Sequence, residues 1–264
     1  MKCKIVYMSI IVASVFGCKN GSKTSYGTGN DAKSDTISVA YFDQGYSDET
    51  GGVIVLKAFD EIIEMAEDGD MKAQFSLGLC FRNGEHVKQS DEKAVEWFQK
   101  SADQGFAMAQ HELGFCYYEG KGIQQSYSNA INWYRKSANQ GYSMAEHCMG
   151  VCYERGEGIT QSFEEAAKWY TKAANKGNKY SMYNLALLLE EGKGVEKNIN
   201  TAYEIFKELA ENGFADAQCN IGDYYRLGVV VKKDINMAME WYQKAAENGN
   251  ERAFGWLEEL RNTQ

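Results

Sequence analysis

Proline is absent from this sequence of 264 residues, whereas glycine occurs 26 times. Proline inside a helix removes a hydrogen bond and clashes with the preceding turn, and glycine readily adopts the left-handed conformation that ends many helices. The composition therefore favours long helices that are joined by glycine turns.

Basic residues are also scarce, with 28 lysines and arginines against 37 aspartates and glutamates, which gives a net charge of −9 at pH 7. Nucleic-acid binding needs a basic patch that neutralises phosphates, and the sequence has no basic stripe. The acidic charge also disfavours electrostatic adhesion to anionic lipid. We therefore expect no nucleic-acid partner, and membrane attachment only through a covalently bound lipid.

Histidine is the third scarce residue type, with three in the chain. The repeat described below places no nucleophile beside any of them, so no acid–base constellation is visible. The Ser-x-x-Lys pattern at Ser90–Lys93 is typical of penicillin-interacting enzymes, but the Lys-Thr-Gly partner of that motif is missing. We expect no catalytic residue and no cofactor.

The sequence repeats itself five times with a period of 36 residues. The copies begin at the stretches AQFSLGLC, AQHELGFC, AEHCMGVC, SMYNLALL and AQCNIGDY, without insertion or deletion. A fixed period of this length is typical of solenoid proteins, in which each repeat is one unit stacked on the next. The predicted repeats are residues 73–108, 109–144, 145–180, 181–216 and 217–252.

Each copy predicts two helices. In the first copy, Ala73, Leu77 and Cys80 lie on one face of a first helix, helix A, which a glycine ends. A serine, asparagine or aspartate then provides the N-cap of a second amphipathic helix, helix B. The predicted fold is an all-α solenoid of helix-loop-helix repeats. Single helices at 54–72 and 253–264 are predicted to cap its two ends.

The stretch AEHCMGVC contains His147, Cys148 and Cys152, which are ligand types that zinc prefers. The column of the last cysteine also contains leucine and tyrosine, so the position favours a buried apolar side chain. Cysteines four residues apart on a helix lie roughly 5–6 Å apart at Cβ, which exceeds the roughly 3.5–4.5 Å of a disulfide. We predict no metal site and free repeat cysteines. A bridge between Cys116 and Cys148 is the competing possibility.

Residues 1–17 are predicted to be a signal peptide, because Lys2 and Lys4 precede an apolar run that is too short for a typical membrane span. The stretch VFGC, which ends at Cys18, resembles a bacterial lipobox, in which the cysteine is lipidated. Residues 18–53 are rich in small polar side chains and are predicted to form a flexible tether. We expect an extracytoplasmic, membrane-anchored lipoprotein, either periplasmic or at the cell surface. An ordinary cleaved signal or an uncleaved anchor is the alternative.

The first repeat carries a Leu-Gly pair at 77–78, then Gly84, Ala94 and a Trp-Phe pair at 97–98, and most of this pattern recurs in later copies. These residues resemble the Sel1-like repeat (SLR) family, a relative of the tetratricopeptide repeats. The resemblance covers about residues 54–262. It implies an α-solenoid whose A helices line a concave surface, usually serving as a scaffold or adaptor for proteins and peptides.

The resemblance also suggests an alternative function. One extracytoplasmic, cysteine-rich branch of the family closes each repeat with a disulfide and is associated with envelope hydrolase activity of the β-lactamase-like type. The corresponding positions here hold Ala102 and Gln110, and then Ala138 and Glu146. The disulfides of that branch are therefore absent, and the hydrolase is retained only as the alternative.

A second face of helix A is aromatic or apolar where a solvated face would carry lysine and glutamate, which is typical of a peptide-binding surface. We predict that it binds an extended or helical segment of a protein or peptide from the cell envelope or a host, with the chain itself monomeric. Protonation of two histidines in it is expected to weaken that binding. In the alternative interpretation, part of this face is buried where neighbouring A helices pack. The predicted binding residues are Phe75, Leu79, Arg82, His111, Phe115, Tyr118, His147, Val151, Glu154, Tyr183 and Leu187.

Overall fold

The computed structural model describes residues 36–37 and 57–262. The predicted signal peptide at 1–17 and the predicted lipidation site Cys18 lie outside these residues. So does the predicted tether, apart from residues 36–37.

Helices form most of residues 57–262, and a short antiparallel pair joins β1 (Thr36–Ile37) to β2 (Lys57–Ala58). The helices are α1 (Phe59–Glu67), α2 (Met71–Asn83), α3 (Asp91–Asp103), α4 (Ala107–Glu119), α5 (Tyr127–Asn139), α6 (Ser143–Arg155), α7 (Phe163–Ala174), α8 (Lys179–Glu191), α9 (Ile199–Glu211), α10 (Ala215–Leu227), α11 (Ile235–Glu247) and α12 (Glu251–Asn262). From α2 to α11, A and B helices alternate, and α1 and α12 stand alone at the ends. None of the helices within the described ranges is both long and apolar enough to cross a bilayer.

Helix boundaries follow the predicted capping residues. At the start of every B helix, the side chain of the N-cap residue accepts a hydrogen bond from the backbone N–H three residues later. These N-cap residues are Ser90, Ser126, Ser162, Asn198 and Asp234. The A helices end at glycines in the left-handed conformation, which are Gly84, Gly120, Gly156, Gly192 and Gly228.

A glycine in the middle of most A helices lies against an aromatic ring of the following B helix. In the third repeat, a Cβ placed on Gly150 of α6 would lie 2.5 Å from the ring of Tyr170 in α7. The same arrangement joins Gly78 to Phe98, Gly114 to Tyr134 and Gly222 to Tyr242. These rings are buried, and they belong to hydrophobic clusters that follow one another along the array. The predicted all-α solenoid is therefore confirmed.

The loop between helices A and B also approaches the preceding B helix closely in three repeats. Gly122 has a φ of 66°, and a Cβ on it would lie 2.2 Å from the carbonyl oxygen of Asp91. Gly158 and Gly194 approach their preceding B helices in the same way. The fifth repeat has Val230 at this position, with a φ of 62° that is uncommon for a β-branched residue. Its loop therefore presents an apolar side chain at the surface.

Candidate functional site

Side chains join consecutive A helices directly. The Nε2 of His111 in α4 lies 3.6 Å from the Sγ of Cys148 in α6. The Nδ1 of His147 in α6 lies 2.9 Å from the Oγ of Ser181 in α8. Stacking of the repeats therefore brings a cysteine beside a histidine, and the sequence expectation that no nucleophile lies beside a histidine is wrong.

The first column of the predicted binding face is buried. Phe75, His111 and His147 are only 2%, 5% and 2% exposed. Each packs against two aromatic rings, as Phe75 does with Phe98 at 5.8 Å and Phe106 at 5.3 Å between ring centroids. The prediction that these three residues bind a partner is therefore wrong. The alternative interpretation, burial where the helices pack, holds for this column.

The other predicted binding residues are half-buried. We define them as the A-helix strip, which consists of Leu79, Arg82, Phe115, Tyr118, Val151, Glu154, Tyr183 and Leu187. A shallow, mostly apolar cavity of about 20 Å³ opens on the strip and is lined by Phe115, Tyr118, Glu119, Tyr134, Cys148, Val151 and Cys152. Such a volume accommodates a small group of atoms, about the size of one water molecule. The role of the strip in binding stays a prediction.

Polar side chains at the margin of this cavity are held in place by hydrogen bonds. The Tyr118 hydroxyl donates to Glu157 and accepts from Nη1 of Arg155, which lies 3.4 Å away. Burial, together with the Glu157 carboxylate, raises the pKa of Tyr118, so its hydroxyl stays neutral. Glu154 accepts a hydrogen bond from Tyr170 of the neighbouring B helix. The resulting surface has an apolar floor, with hydrogen-bonded polar groups beside it.

The two histidines of the buried column do not titrate near neutral pH. Burial lowers the pKa of His147 to about 3. Burial also acts to lower the pKa of His111, but the neighbouring Cys148 and Glu112 outweigh it and raise this pKa to about 10. Neither histidine therefore changes its charge between about pH 5 and pH 8. The expectation that their protonation weakens partner binding is wrong.

The repeat cysteines are free, as predicted, and all of them are buried. They are Cys80, Cys116, Cys148, Cys152 and Cys219. The competing bridge between Cys116 and Cys148 is not formed. In the part of the chain that the structure describes, no group of three or more histidine, cysteine, aspartate or glutamate side chains is arranged to hold a metal ion.

Sequence reasoning missed the position that follows the buried column. In the five repeats this position holds Ser76, Glu112, Cys148, Asn184 and Asn220. A column of small or polar residues on a face that packs between helices indicates a buried position that makes hydrogen bonds. Here it supplies Glu112, which forms an ion pair with Arg82, and Cys148, which lies beside His111.

Comparisons with known proteins agree with this architecture. The Sel1 repeat family model matches residues 72–106, 107–142, 143–178, 179–214 and 215–250. No curated protein matches the chain. Among solved structures, a Sel1 repeat protein from Oxalobacter formigenes is 34% identical with a TM-score of 0.72, and the match covers 76% of this chain and 80% of that one.

A second solved structure is a protective antigen from uropathogenic Escherichia coli strains that displays an SLR fold. It is 34% identical with a TM-score of 0.70, and the match covers 76% of this chain. The match covers 43% of the antigen, so the chain spans less than half of that protein's length.

Proposed function

Since the chain belongs to the Sel1 repeat family, whose fold is typically a protein-interaction scaffold, we propose that it is a lipid-anchored scaffold of the cell envelope. Its A-helix strip binds a segment of a partner protein or peptide. The observation that carries this proposal is the shallow cavity that Phe115, Tyr118 and Val151 line on the strip. Aromatic and aliphatic side chains with polar groups at their margin are typical of the centre of a protein-binding surface.

The shape of the cavity limits what the partner presents. A volume of about 20 Å³ admits a methyl-bearing end of a side chain rather than a whole aromatic ring. The charged groups of Glu157 and Arg155 lie at the margin, where they are able to bind polar groups of the same segment. The proposed ligand is therefore a protein segment that combines a small apolar side chain with flanking polar residues.

Replacement of Phe115 by alanine tests the strip. Phe115 is half-buried at the cavity wall, and loss of a central aromatic side chain typically weakens binding by about 2 kcal/mol, or about thirtyfold. We expect partner capture from solubilised membranes to fall by that factor, measured by affinity purification and quantitative mass spectrometry. Helicity measured by circular dichroism should be unchanged.

Phe254→Ala is the matched control, because Phe254 lies in α12 outside the strip and is 56% exposed. The control should capture the same partner at the wild-type level. Capture that survives Phe115→Ala, or that is lost only with Phe254→Ala, would show that the partner binds elsewhere.

Membrane anchoring is tested separately from partner binding. If Cys18 carries the lipid, Cys18→Ala should move the protein from the detergent phase to the aqueous phase, because stable attachment requires acyl chains. Phase partitioning with a nonionic detergent measures this directly. Cys3→Ala is the control, since that cysteine lies in the predicted signal peptide and should leave partitioning unchanged. Unchanged partitioning of Cys18→Ala contradicts the lipoprotein assignment.

The alternative, an envelope hydrolase of the β-lactamase-like type, has no observation in its favour among residues 57–262. The serine of its motif, Ser90, accepts a hydrogen bond from the Lys93 amide at 3.2 Å and donates one to Glu92 at 3.0 Å. Ser90 therefore acts as the N-cap of α3.

A further inference from the structure

A row of four polar side chains runs from α2 through α4 to α6. Arg82 forms an ion pair with Glu112. The Oε1 of Glu112 lies 3.6 Å from the Nδ1 of His111, and the Nε2 of the same imidazole lies 3.6 Å from the Sγ of Cys148. His111 and Cys148 are only 5% and 6% exposed, so water screens their interaction weakly.

Each charged side chain along this row favours the charged form of its neighbour. Burial acts to raise the pKa of Glu112, but Arg82 and His111 outweigh it and lower this pKa to about 2. A permanently ionised Glu112 then favours the protonated imidazole of His111. The positive imidazolium therefore lies where its charge stabilises the thiolate of Cys148.

Cys148 differs in this respect from the other repeat cysteines. Burial raises the pKa of Cys80 to about 11 and that of Cys116 to about 12, and it also raises the pKa of Cys152 and of Cys219. Arg252 donates a hydrogen bond to the sulfur of Cys219 at 3.1 Å, but burial outweighs it. Thiols with a raised pKa are unreactive because the nucleophile is the thiolate. Cys148 instead has the imidazole within 3.6 Å of its sulfur.

The cavity on the A-helix strip makes the Cys148 sulfur reachable from the protein surface. Cys148 lines it together with Phe115, Val151 and Tyr134, and its walls are almost entirely apolar. The cavity therefore admits only the reacting end of a compound, and a charged group at that end would have to lose its hydration to reach the sulfur.

We propose that Cys148 is a covalent modification site, whose thiol adds to small apolar α,β-unsaturated carbonyl compounds that present their unsaturated end at the mouth of this cavity. The site does not depend on the proposed scaffold function, because the reaction needs no partner protein. Glu112, which is paired with Arg82, supports this site through the charge that it places 3.6 Å from the Nδ1 of His111.

The reaction is an addition without a leaving group or an oxidant. The thiol proton of Cys148 passes to water, and the imidazolium of His111 stabilises the thiolate that forms. The sulfur electron pair forms a bond to the β-carbon of the compound, and the π electrons of the carbon–carbon double bond move towards the carbonyl oxygen. A proton from water then adds to the α-carbon, which leaves a thioether on Cys148 and His111 still as the imidazolium.

Alkylation of the folded protein at pH 7 with N-ethylmaleimide, itself an α,β-unsaturated carbonyl compound, tests the site. Mass spectrometry of peptides that carry the repeat cysteines should show that Cys148 reacts at least about tenfold faster than Cys80, Cys116, Cys152 and Cys219. In urea the five rates should converge, since the surroundings of the thiols are then alike. A maleimide that carries a carboxylate should react more slowly with folded Cys148 than N-ethylmaleimide does.

His111→Phe removes the imidazole with little change in packing. The first repeat already has Phe75 at this position, and its two ring contacts at 5.8 and 5.3 Å match those of His111 with Tyr134 at 5.7 Å and Tyr142 at 5.3 Å. We expect the Cys148 rate to fall by about tenfold or more in this variant, because the positive charge that stabilises the thiolate is lost.

His147→Phe is the matched control, because it makes the same substitution in the next repeat, where the imidazole hydrogen-bonds Ser181. The Cys148 rate should stay at the wild-type value in this variant. Equal rates for the five folded cysteines, equal rates for the two maleimides, or a Cys148 rate that His111→Phe leaves unchanged would each overturn the proposal. The comparison among the wild-type cysteines needs no substitution, so it decides the question even if His111→Phe fails to fold.

Discussion

Gly150→Ala should destabilise the protein by about 2 kcal/mol, although the same change in an exposed helix stabilises by about 1 kcal/mol. The reason is steric, because a Cβ at this position would lie 2.5 Å from the ring of Tyr170. That ring is fully buried, and its hydroxyl donates to Glu154, so it has little freedom to move away. The midpoint of urea unfolding measures the change, with the m-value as a check on two-state behaviour.

Gly255→Ala is the control for this prediction. Gly255 lies in the middle of α12, is exposed, and has no atom within 4 Å of a placed Cβ. Alanine there should stabilise the protein by up to about 1 kcal/mol, since only helix propensity changes. Equal effects of the two substitutions would show that the contact between helices A and B tolerates a methyl group, as the fourth repeat does with Ala186.

The fold was predictable from the sequence because its signals are local and repeated. The N-cap at Ser90 and the glycine at Gly84 each form hydrogen bonds within a few residues of their own position, and each recurs at the same place in later copies. A period without insertions then requires that neighbouring units stack in the same way. Such contacts can be predicted without knowing which distant residues pack against each other.

The candidate site was only partly predictable, because burial depends on residues that lie far away in the sequence. The aromatic side chain of Phe75 is a binding residue if exposed and a core residue if covered, and helix periodicity alone does not decide between the two. Phe98 and Phe106, from the next B helix and the turn after it, provide the cover. The contact between His111 and Cys148 likewise depends on how consecutive A helices stack.

A second stability prediction concerns a buried carboxylate in the third repeat, close to its junction with the second. Glu146 is 4% exposed, and its Oε1 lies 2.7 Å from the Nζ of Lys176, which also donates to the carbonyl oxygen of Gly141 at 2.7 Å. The second oxygen of Glu146 has no hydrogen-bond partner within the described residues. Removal of the lysine side chain therefore leaves a buried charge without compensation. Lys176→Ala should destabilise the protein by about 2–3 kcal/mol, measured by urea unfolding at pH 7.

The preceding repeats show how the same pair of positions is stabilised without a buried charge. There, Gln140 donates to Gln110 at 2.8 Å and to the carbonyl oxygen of Gly105 at 2.9 Å. Gln140 thus takes the place of Lys176 and Gln110 that of Glu146, so neutral amides make the same two contacts as the charged pair. The double variant Glu146→Gln with Lys176→Gln should therefore stay within about 1 kcal/mol of the wild type, because both buried polar groups keep a partner. A double variant as unstable as Lys176→Ala would contradict this explanation. It would show that the lysine stabilises the junction through its charge rather than by satisfying Glu146.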